Sequence, residues 1–130
     1  MNIAFDIDDT ITAMPELFAA LSTARGAEKV IIVSSRTNNA EAMRATREEL
    51  HGYGVRYDRL YLIDDAAVAR ERCHHAELDW YQKYLWQKVE VCLLEKIDVV
   101  FEDDPKVIDL FKRYAPAILV LQIHHREDAP

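Results

Sequence analysis

The side chains best suited to chemistry lie near the start of the chain, in the run Phe5-Asp6-Ile7-Asp8-Asp9-Thr10. Asp6 closes a short apolar run and Asp8 follows two residues later. In extended backbone, residues i and i+2 point to the same side, so the two carboxylates stand together. Like charges at that spacing repel, and at least one pKa rises unless a cation intervenes. A second acidic run, Glu102-Asp103-Asp104, closes another apolar run late in the chain. Bringing it alongside the first concentrates negative charge further. Oxygen donors without His or Cys select a hard cation, Mg²⁺ before Zn²⁺. Mg²⁺ leaves part of its shell to water and phosphate, which points to a phosphorylated substrate. Beside such a metal, one carboxylate can attack phosphorus and form an aspartyl-phosphate. A second can protonate the leaving oxygen and then deprotonate water.

Five short apolar runs must carry these groups, at residues 2–5, 29–33, 59–63, 98–101 and 117–122. Each is too short for an independent helix and reads as a buried strand. Helical periodicity fills residues 15–24, 38–51, 76–95 and 105–114. The expected inward faces carry Leu17, Ala20 and Leu21 in the first stretch and Ala42, Met43 and Leu50 in the second. In the third they carry Leu78, Tyr81, Leu85, Val89 and Leu93. Strand and helix alternate throughout. That predicts an α/β chain, a three-layer α/β/α Rossmann-like fold around a five-stranded parallel sheet.

In such sheets ligands bind beyond the carboxyl ends of the strands. The residues at those ends are Asp6-Ile7-Asp8-Asp9, Ser34-Ser35-Arg36, Asp64-Asp65 and Glu102-Asp103-Asp104. Helix capping competes with chemistry for some of them. Asp64 and Asp65 read as N-caps, and Asp104, directly before Pro105, suits a cap and a site role alike. Asp6 and Asp8 precede no helical pattern directly, so chemistry is their better reading.

The bulk properties set limits. A chain of 130 residues, half of them hydrophobic, suits one domain over residues 1–130 with its own core. The net charge of -7 disfavours non-specific binding to nucleic acid or anionic membranes. Three glycines, Gly26, Gly52 and Gly54, cannot build a P-loop or a dinucleotide fingerprint. Cys73 and Cys92 lack metal-ligand spacing and read as free thiols of a reducing compartment. No apolar run approaches the ~20 residues of a membrane span, and the N-terminal run lacks a signal-peptide pattern. The expectation is a cytoplasmic protein with no membrane partner. The pairs His74-His75 and His124-His125 read as surface or capping residues. Trp80, Tyr81, Tyr84 and Trp86 cover more than one helix face. Core packing, a homodimer contact and a substrate platform are the open readings of that group.

The run Ile3-Ala4-Phe5-Asp6-Ile7-Asp8-Asp9-Thr10-Ile11 resembles the first motif of the haloacid dehalogenase superfamily, apolar residues followed by D-x-D-x-T and an aliphatic. Val30-Ile31-Ile32-Val33-Ser34 is similar to the second motif, a strand ending in Ser or Thr. Val99-Val100-Phe101-Glu102-Asp103-Asp104 is similar to the fourth, a strand ending in acids. A Lys before that strand stands for the third. The resemblance spans essentially the whole chain. It implies a Mg²⁺-dependent phosphatase, a phosphomonoester hydrolase working through an aspartyl-phosphate. Asp6 is then the nucleophile and Asp8 the general acid/base, with its backbone carbonyl on the metal. Ser34 hydrogen-bonds a phosphoryl oxygen. Asp6, Asp8 and Asp103 form the metal set, with Glu102 or Asp104 supporting the water shell. Lys88 is favoured over Lys83 as the motif lysine, because Val89 and Leu93 mark a buried face beside it. Its role is to neutralise charge on the nucleophile and the transferring group. Ser35 and Arg36 add to the phosphate site, Arg36 either by forking onto an oxygen or by forming a surface salt bridge.

Members of this superfamily often carry a cap domain. The two insertion stretches, residues 12–28 and 64–87, hold helix only, so the resemblance implies no cap domain and an open site. Capless members often act on large substrates such as nucleic-acid ends or phosphoproteins, and small nucleotides or sugar phosphates are the option where an oligomer supplies a cover. Residues 102–108 also resemble the polynucleotide 3′-phosphatase branch. Two other readings share the architecture. One is a phosphate- or metal-binding domain without turnover. The other is a receiver-like domain phosphorylated near Asp64, which the D-x-D-x-T at the first strand fits poorly.

Overall fold

The strands and helices fall where apolar runs and helical periods predict them, with informative exceptions. The computed structural model describes residues 1–124. The strands are β1 (Asn2–Phe5), β2 (Lys29–Thr37), β3 (Arg59–Ile63), β4 (Val99–Glu102) and β5 (Leu119–Gln122). They form one sheet in the order β3-β2-β1-β4-β5, parallel at every pairing. The helices among the described residues are α1 (Pro15–Ser22), α2 (Ala40–Tyr53), α3 (Ala66–Arg72), α4 (Trp80–Leu94) and α5 (Pro105–Tyr114), with a 3₁₀ turn at Ile11–Ala13.

Alternation along the strands builds two cores. Ile3, Phe5, Val30 and Ile32 face α1 and α2, where Phe18 and Leu50 meet them. Ala4, Ile31, Val33 and Val100 face α4 and α5, where Leu85, Val89, Val107 and Phe111 meet them. The result is the α/β/α three-layer fold. The chain runs outward from β1 through β2 to β3, then crosses back to β4 beside β1. The reversal of strand order lies between β1 and β4, which is where such folds open a crevice.

Some expectations need correction. The helical pattern of residues 76–95 does not begin at 76. The chain forms α3, then an irregular stretch, and α4 starts only at Trp80. A capping box fixes that start: Asp79 accepts from the Gln82 amide at 2.7 Å, and Gln82 accepts from the Asp79 amide at 2.9 Å. In α1 the buried side chains are Phe18 and Ser22, whereas Leu17 is 44% exposed. Phe18 wins because its ring packs edge-on against Phe5 and Phe101 at 4.9 and 5.6 Å. In α2 the buried residues are Thr46 and Leu50 rather than Ala42 and Met43. Leu93, expected beside Lys88 on a buried face, is 48% exposed; the buried stripe holds Leu85, Lys88, Val89 and Cys92. Strand β2 continues four residues past Val33 as Ser34-Ser35-Arg36-Thr37, with a register shift against β3 between Ser34 and Thr37. Strand β4 begins at Val99, not Asp98, whose carboxylate accepts from the Asn2 amide at 2.7 Å. Strand β5 begins at Leu119 rather than 117.

Capping explains the other boundaries. Asp65 accepts from the Ala67 and Val68 amides at the start of α3, and Asn39 caps α2. Gly54 ends α2 at φ 75°, a conformation that costs glycine nothing. Lys96 takes the same left-handed role after α4 at φ 54°. Cys73 and Cys92 are free and buried. His74 is exposed and His75 partly so; the His75 ring also packs 4.1 Å from Tyr114 and 5.2 Å from Trp86. His125 and the residues after it lie outside the described residues. Among those described, no helix is long and apolar enough to cross a membrane.

Candidate active site

Asp6 is one residue past β1, and the sheet still holds it. Its amide donates to the Phe101 carbonyl of β4 at 3.1 Å. This fixes the side chain in the crevice, where it is buried. Helix α4 brings Lys88 to it from one face of the sheet. The Lys88 Nζ donates to Asp6 Oδ1 at 2.8 Å and to Glu102 Oε2 at 3.0 Å. Lys88 and Glu102 are both almost wholly buried. Lys83 starts the helix's hydrogen-bond ladder, bonding the Asp79 carbonyl, and lies on a different face from Lys88.

The three acids at the end of β4 separate by geometry. Glu102 takes the Lys88 ammonium with one oxygen and the Asp103 and Asp104 amides, both at 3.1 Å, with the other. It holds the turn out of β4. Asp104 caps α5, accepting from the Lys106 amide at 2.9 Å, with Pro105 in the first turn. Asp103 points to the crevice. The Thr10 hydroxyl, fully buried, is 3.2 Å from Asp6 Oδ2 and 3.3 Å from Asp103 Oδ1. Asp6, Glu102 and Asp103 each bring an oxygen within 4.8 Å of the others.

Charge does not balance in this cluster. Burial is the largest influence on Asp6 and pushes its pKa up to about 8, against the pull of Lys88 and with the repulsion of Glu102. Burial likewise raises Glu102. Burial opposes the Lys88 charge, but Asp6 and Glu102 together outweigh it and hold its pKa above the ordinary lysine value. Three carboxylates meet one ammonium. A metal ion held by these hard oxygens would relieve the surplus, and the donor set fits one.

Asp8 stands outside that group. Its side chain is 61% exposed, and Arg36 holds it. Arg36 Nε donates to Oδ2 at 3.1 Å and Nη2 to Oδ1 at 2.9 Å. The same guanidinium reaches Glu49 Oε2 at 3.0 Å and Thr46 Oγ1 at 3.1 Å on α2. These hydrogen bonds hold the Asp8 pKa below the ordinary carboxylate range. Of the two roles expected for Arg36, the salt bridge is the one formed here.

Ser34 is buried in β2, at the last regular pairing before the register shift, and its Oγ accepts from the Arg36 amide at 3.1 Å. Ser35 is exposed, and its carbonyl accepts from the Tyr84 hydroxyl at 2.9 Å. Asp9 takes φ 62°, a left-handed turn that aspartate tolerates better than most residues, and its amide donates to Thr12 Oγ1 at 2.9 Å. Asp64 stands apart from the cluster. It pairs with Arg72 at 3.0 Å, and Gln87 clamps its backbone.

Sequence reasoning passed over several of these partners. Thr10 had a signal, since it belongs to the same motif as Asp6. Thr46 and Glu49 had none, because the fold alone brings α2 under Arg36. Gln87 resembles an ordinary helix residue until the loop it holds is seen, and Tyr84, noted for its ring, gave no sign of its hydrogen bond to Ser35.

No protein-family model matches the chain, and no curated protein matches it. Among solved structures it is similar to a chain of the "Structure of Pnkp1/Rnl/Hen1 complex", with a TM-score of 0.60 and 20% identity. That likeness covers 98% of this chain and 47% of the other. It is also similar to a chain of the "Structure of the Pnkp1/Rnl/Hen1 RNA repair complex", with a TM-score of 0.58 and 18% identity, over 95% of this chain and 42% of the other. This chain therefore spans less than half the length of either neighbour, and what it shares with them is the α/β/α fold.

Proposed function

We propose that this chain is a Mg²⁺-dependent phosphohydrolase of the haloacid dehalogenase type, acting on phosphomonoesters of nucleotides or nucleic-acid ends. The observation that supports it best is the Lys88 ammonium between Asp6 and Glu102, 2.8 and 3.0 Å away, with Asp103 beside them. A structural ion pair has no need of a third carboxylate at the crevice.

In this reading an Asp6 carboxylate oxygen attacks phosphorus, and the ester P–O bond breaks. Lys88 and Thr10 orient the two Asp6 oxygens before attack. Asp8 donates a proton to the leaving oxygen, then takes one from the water that cleaves the aspartyl-phosphate and frees Asp6. Ser34 donates its hydroxyl to a phosphoryl oxygen. Asp6 and Asp103, with the Asp8 carbonyl, would hold the Mg²⁺, while Glu102 keeps Lys88 and Asp103 in place. The ion supplies charge neutralisation between the carboxylate and the incoming phosphate. Arg36 must release Asp8 for the proton transfer, and a phosphate oxygen is the chemistry that competes for its fork. The fold neighbours belong to an RNA repair complex, which accords with a nucleic-acid-end substrate.

One observation favours a second reading, a phosphate- or metal-binding domain without turnover: the clamp on Asp8 holds the general acid ionised. Turnover of a panel of phosphate esters with Mg²⁺ separates the two. The expected result is hydrolysis that disappears in Asp6→Asn. Silence across the panel selects the binding domain, and activity surviving in Asp6→Asn removes Asp6 as nucleophile.

A further inference from the structure

Helix α4 runs antiparallel to the strands, as a crossover helix must, so its first turns project beyond their carboxyl ends. Lys88 lies level with Asp6. Tyr84 and Tyr81 precede it by four and seven residues, on the same helix face. They stand about 6 and about 10 Å further along the axis, outward from the reacting centre. The Tyr84 hydroxyl is tied to the Ser35 carbonyl at 2.9 Å, which keeps its ring over the phosphate-side loop. Tyr81 stacks on Tyr84 with centroids 6.2 Å apart and planes 24° apart. Trp80 meets Tyr81 edge-on at 5.5 Å and is 62% exposed, although it is among the largest apolar side chains of the protein. From the first turn of α5, Lys106 places its Nζ 5.0 Å from the Tyr81 ring centroid.

We infer that Tyr84, Tyr81 and Trp80, with Lys106, form a stacking platform for the base of a nucleoside phosphate whose phosphate lies at Asp6. The inference rests on the phosphohydrolase reading for the position of that phosphate. Core packing accounts for the half-buried tyrosines but not for Trp80, which packs against its neighbour and otherwise faces solvent. With Tyr84 and Lys106 already against the Tyr81 ring, the exposed Trp80 offers the π-face and Lys106 the cation to a base. The charge pattern limits the ligand. The groove between α4 and α5, about 310 Å³, places Asp79 and Asp109 beside Lys106. Those carboxylates repel a running phosphate backbone. The platform therefore takes a base or two at an end, which also fits a chain of net charge -7.

Competition binding tests the platform in an Asp6→Asn background, where turnover is blocked. The probe is a fluorescein-labelled single-stranded trinucleotide ending in a 3′-phosphate. The competitors are adenosine 3′-phosphate and ribose 5-phosphate. The base-bearing competitor should win by about tenfold or more, and Trp80→Ala should erase that advantage. Lys106→Ala should reduce it. Trp80 is exposed enough for the variant to fold. Equal affinity for the two competitors, or no measurable affinity for either, overturns the inference, as does a Trp80→Ala variant that keeps the base preference. A trinucleotide that binds tighter than the mononucleotide identifies a chain end as the source of the base, and equal binding identifies a free nucleotide. Turnover of the phosphate-ester panel by the wild type reports separately on the phosphohydrolase reading. Silence across the panel with base preference retained sinks that reading alone, whereas turnover without base preference sinks only the platform.

Discussion

Arg36 grips Asp8 through two parallel hydrogen bonds, 2.9 and 3.1 Å long, while its other contacts anchor it to α2. A carboxylate so held is ionised, yet the proposed acid step needs its proton. The dependence on Asp8 should therefore scale with the leaving group. Asp8→Asn should lower kcat by about 10²- to 10⁴-fold for alkyl phosphates and far less for p-nitrophenyl phosphate, whose leaving group departs without a proton. A uniform loss across graded esters would remove Asp8 from the acid role. Stability should barely change, since a pair this exposed contributes under about 1 kcal/mol.

Lys88 is a different case, because its partners are buried with it. Lys88→Met leaves Asp6 and Glu102 without a counter-charge in the crevice. The expected loss is about 3–5 kcal/mol of stability, read by urea unfolding. Adding Glu102→Gln to Lys88→Met should restore part of that stability without restoring turnover. If Lys88→Met alone unfolds at the wild-type urea midpoint, the ion-pair account is wrong.

The Asp6 carboxyl rises from 3.8 to about 8 on folding. Between those values the folded state binds the proton more tightly than the unfolded state does. Its contribution is full below pH 4 and is lost as pH climbs towards 8. Metal-free protein should thus lose thermal stability across that window, and Asp6→Asn should flatten most of the slope. A cation that binds ionised Asp6 acts in the opposite sense, so the rise in Tm caused by Mg²⁺ should be larger at pH 8 than at pH 5. A Mg²⁺ shift that is equal at both values would detach Asp6 from the metal.

Lys96 ends α4 in a left-handed conformation that suits glycine better. Its backbone carbonyl, not its side chain, is used, accepting from Asn2 Nδ2 at 3.0 Å. Lys96→Gly should therefore stabilise the protein by up to about 1 kcal/mol, seen as a raised Tm. A destabilised variant would show that the lysine side chain matters here.

The strand ends were legible because the signals are local. Apolar runs stop where carboxylates and hydroxyls begin, and parallel topology carries those ends to one edge. Asp6, Ser34 and the acids after β4 followed from that alone. Helix faces were less legible, since periodicity gives a stripe but not its phase. The phase of α1 was set by Phe18 fitting between Phe5 and Phe101, a contact across 83 residues of sequence at its longest. The break before α4 had a readable cue in Asp79 and Gln82, three residues apart, masked by the apolar Leu78 just upstream. The division of labour among Glu102, Asp103 and Asp104 was illegible, because three adjacent acids differ only in where the turn points them.

The hydrogen bond from the Asp6 amide to Phe101 ties the reacting end of β1 to the centre of the sheet. Amides in such a place exchange with solvent only when the whole domain opens, unlike those of frayed loops. The Asp6 amide should accordingly be among the slowest to exchange deuterium, with a protection free energy equal to the global one. The proposed nucleophile then has no partially open state of its own. Destabilising substitutions far from the crevice should reduce how many molecules are competent, while each folded molecule works at full rate.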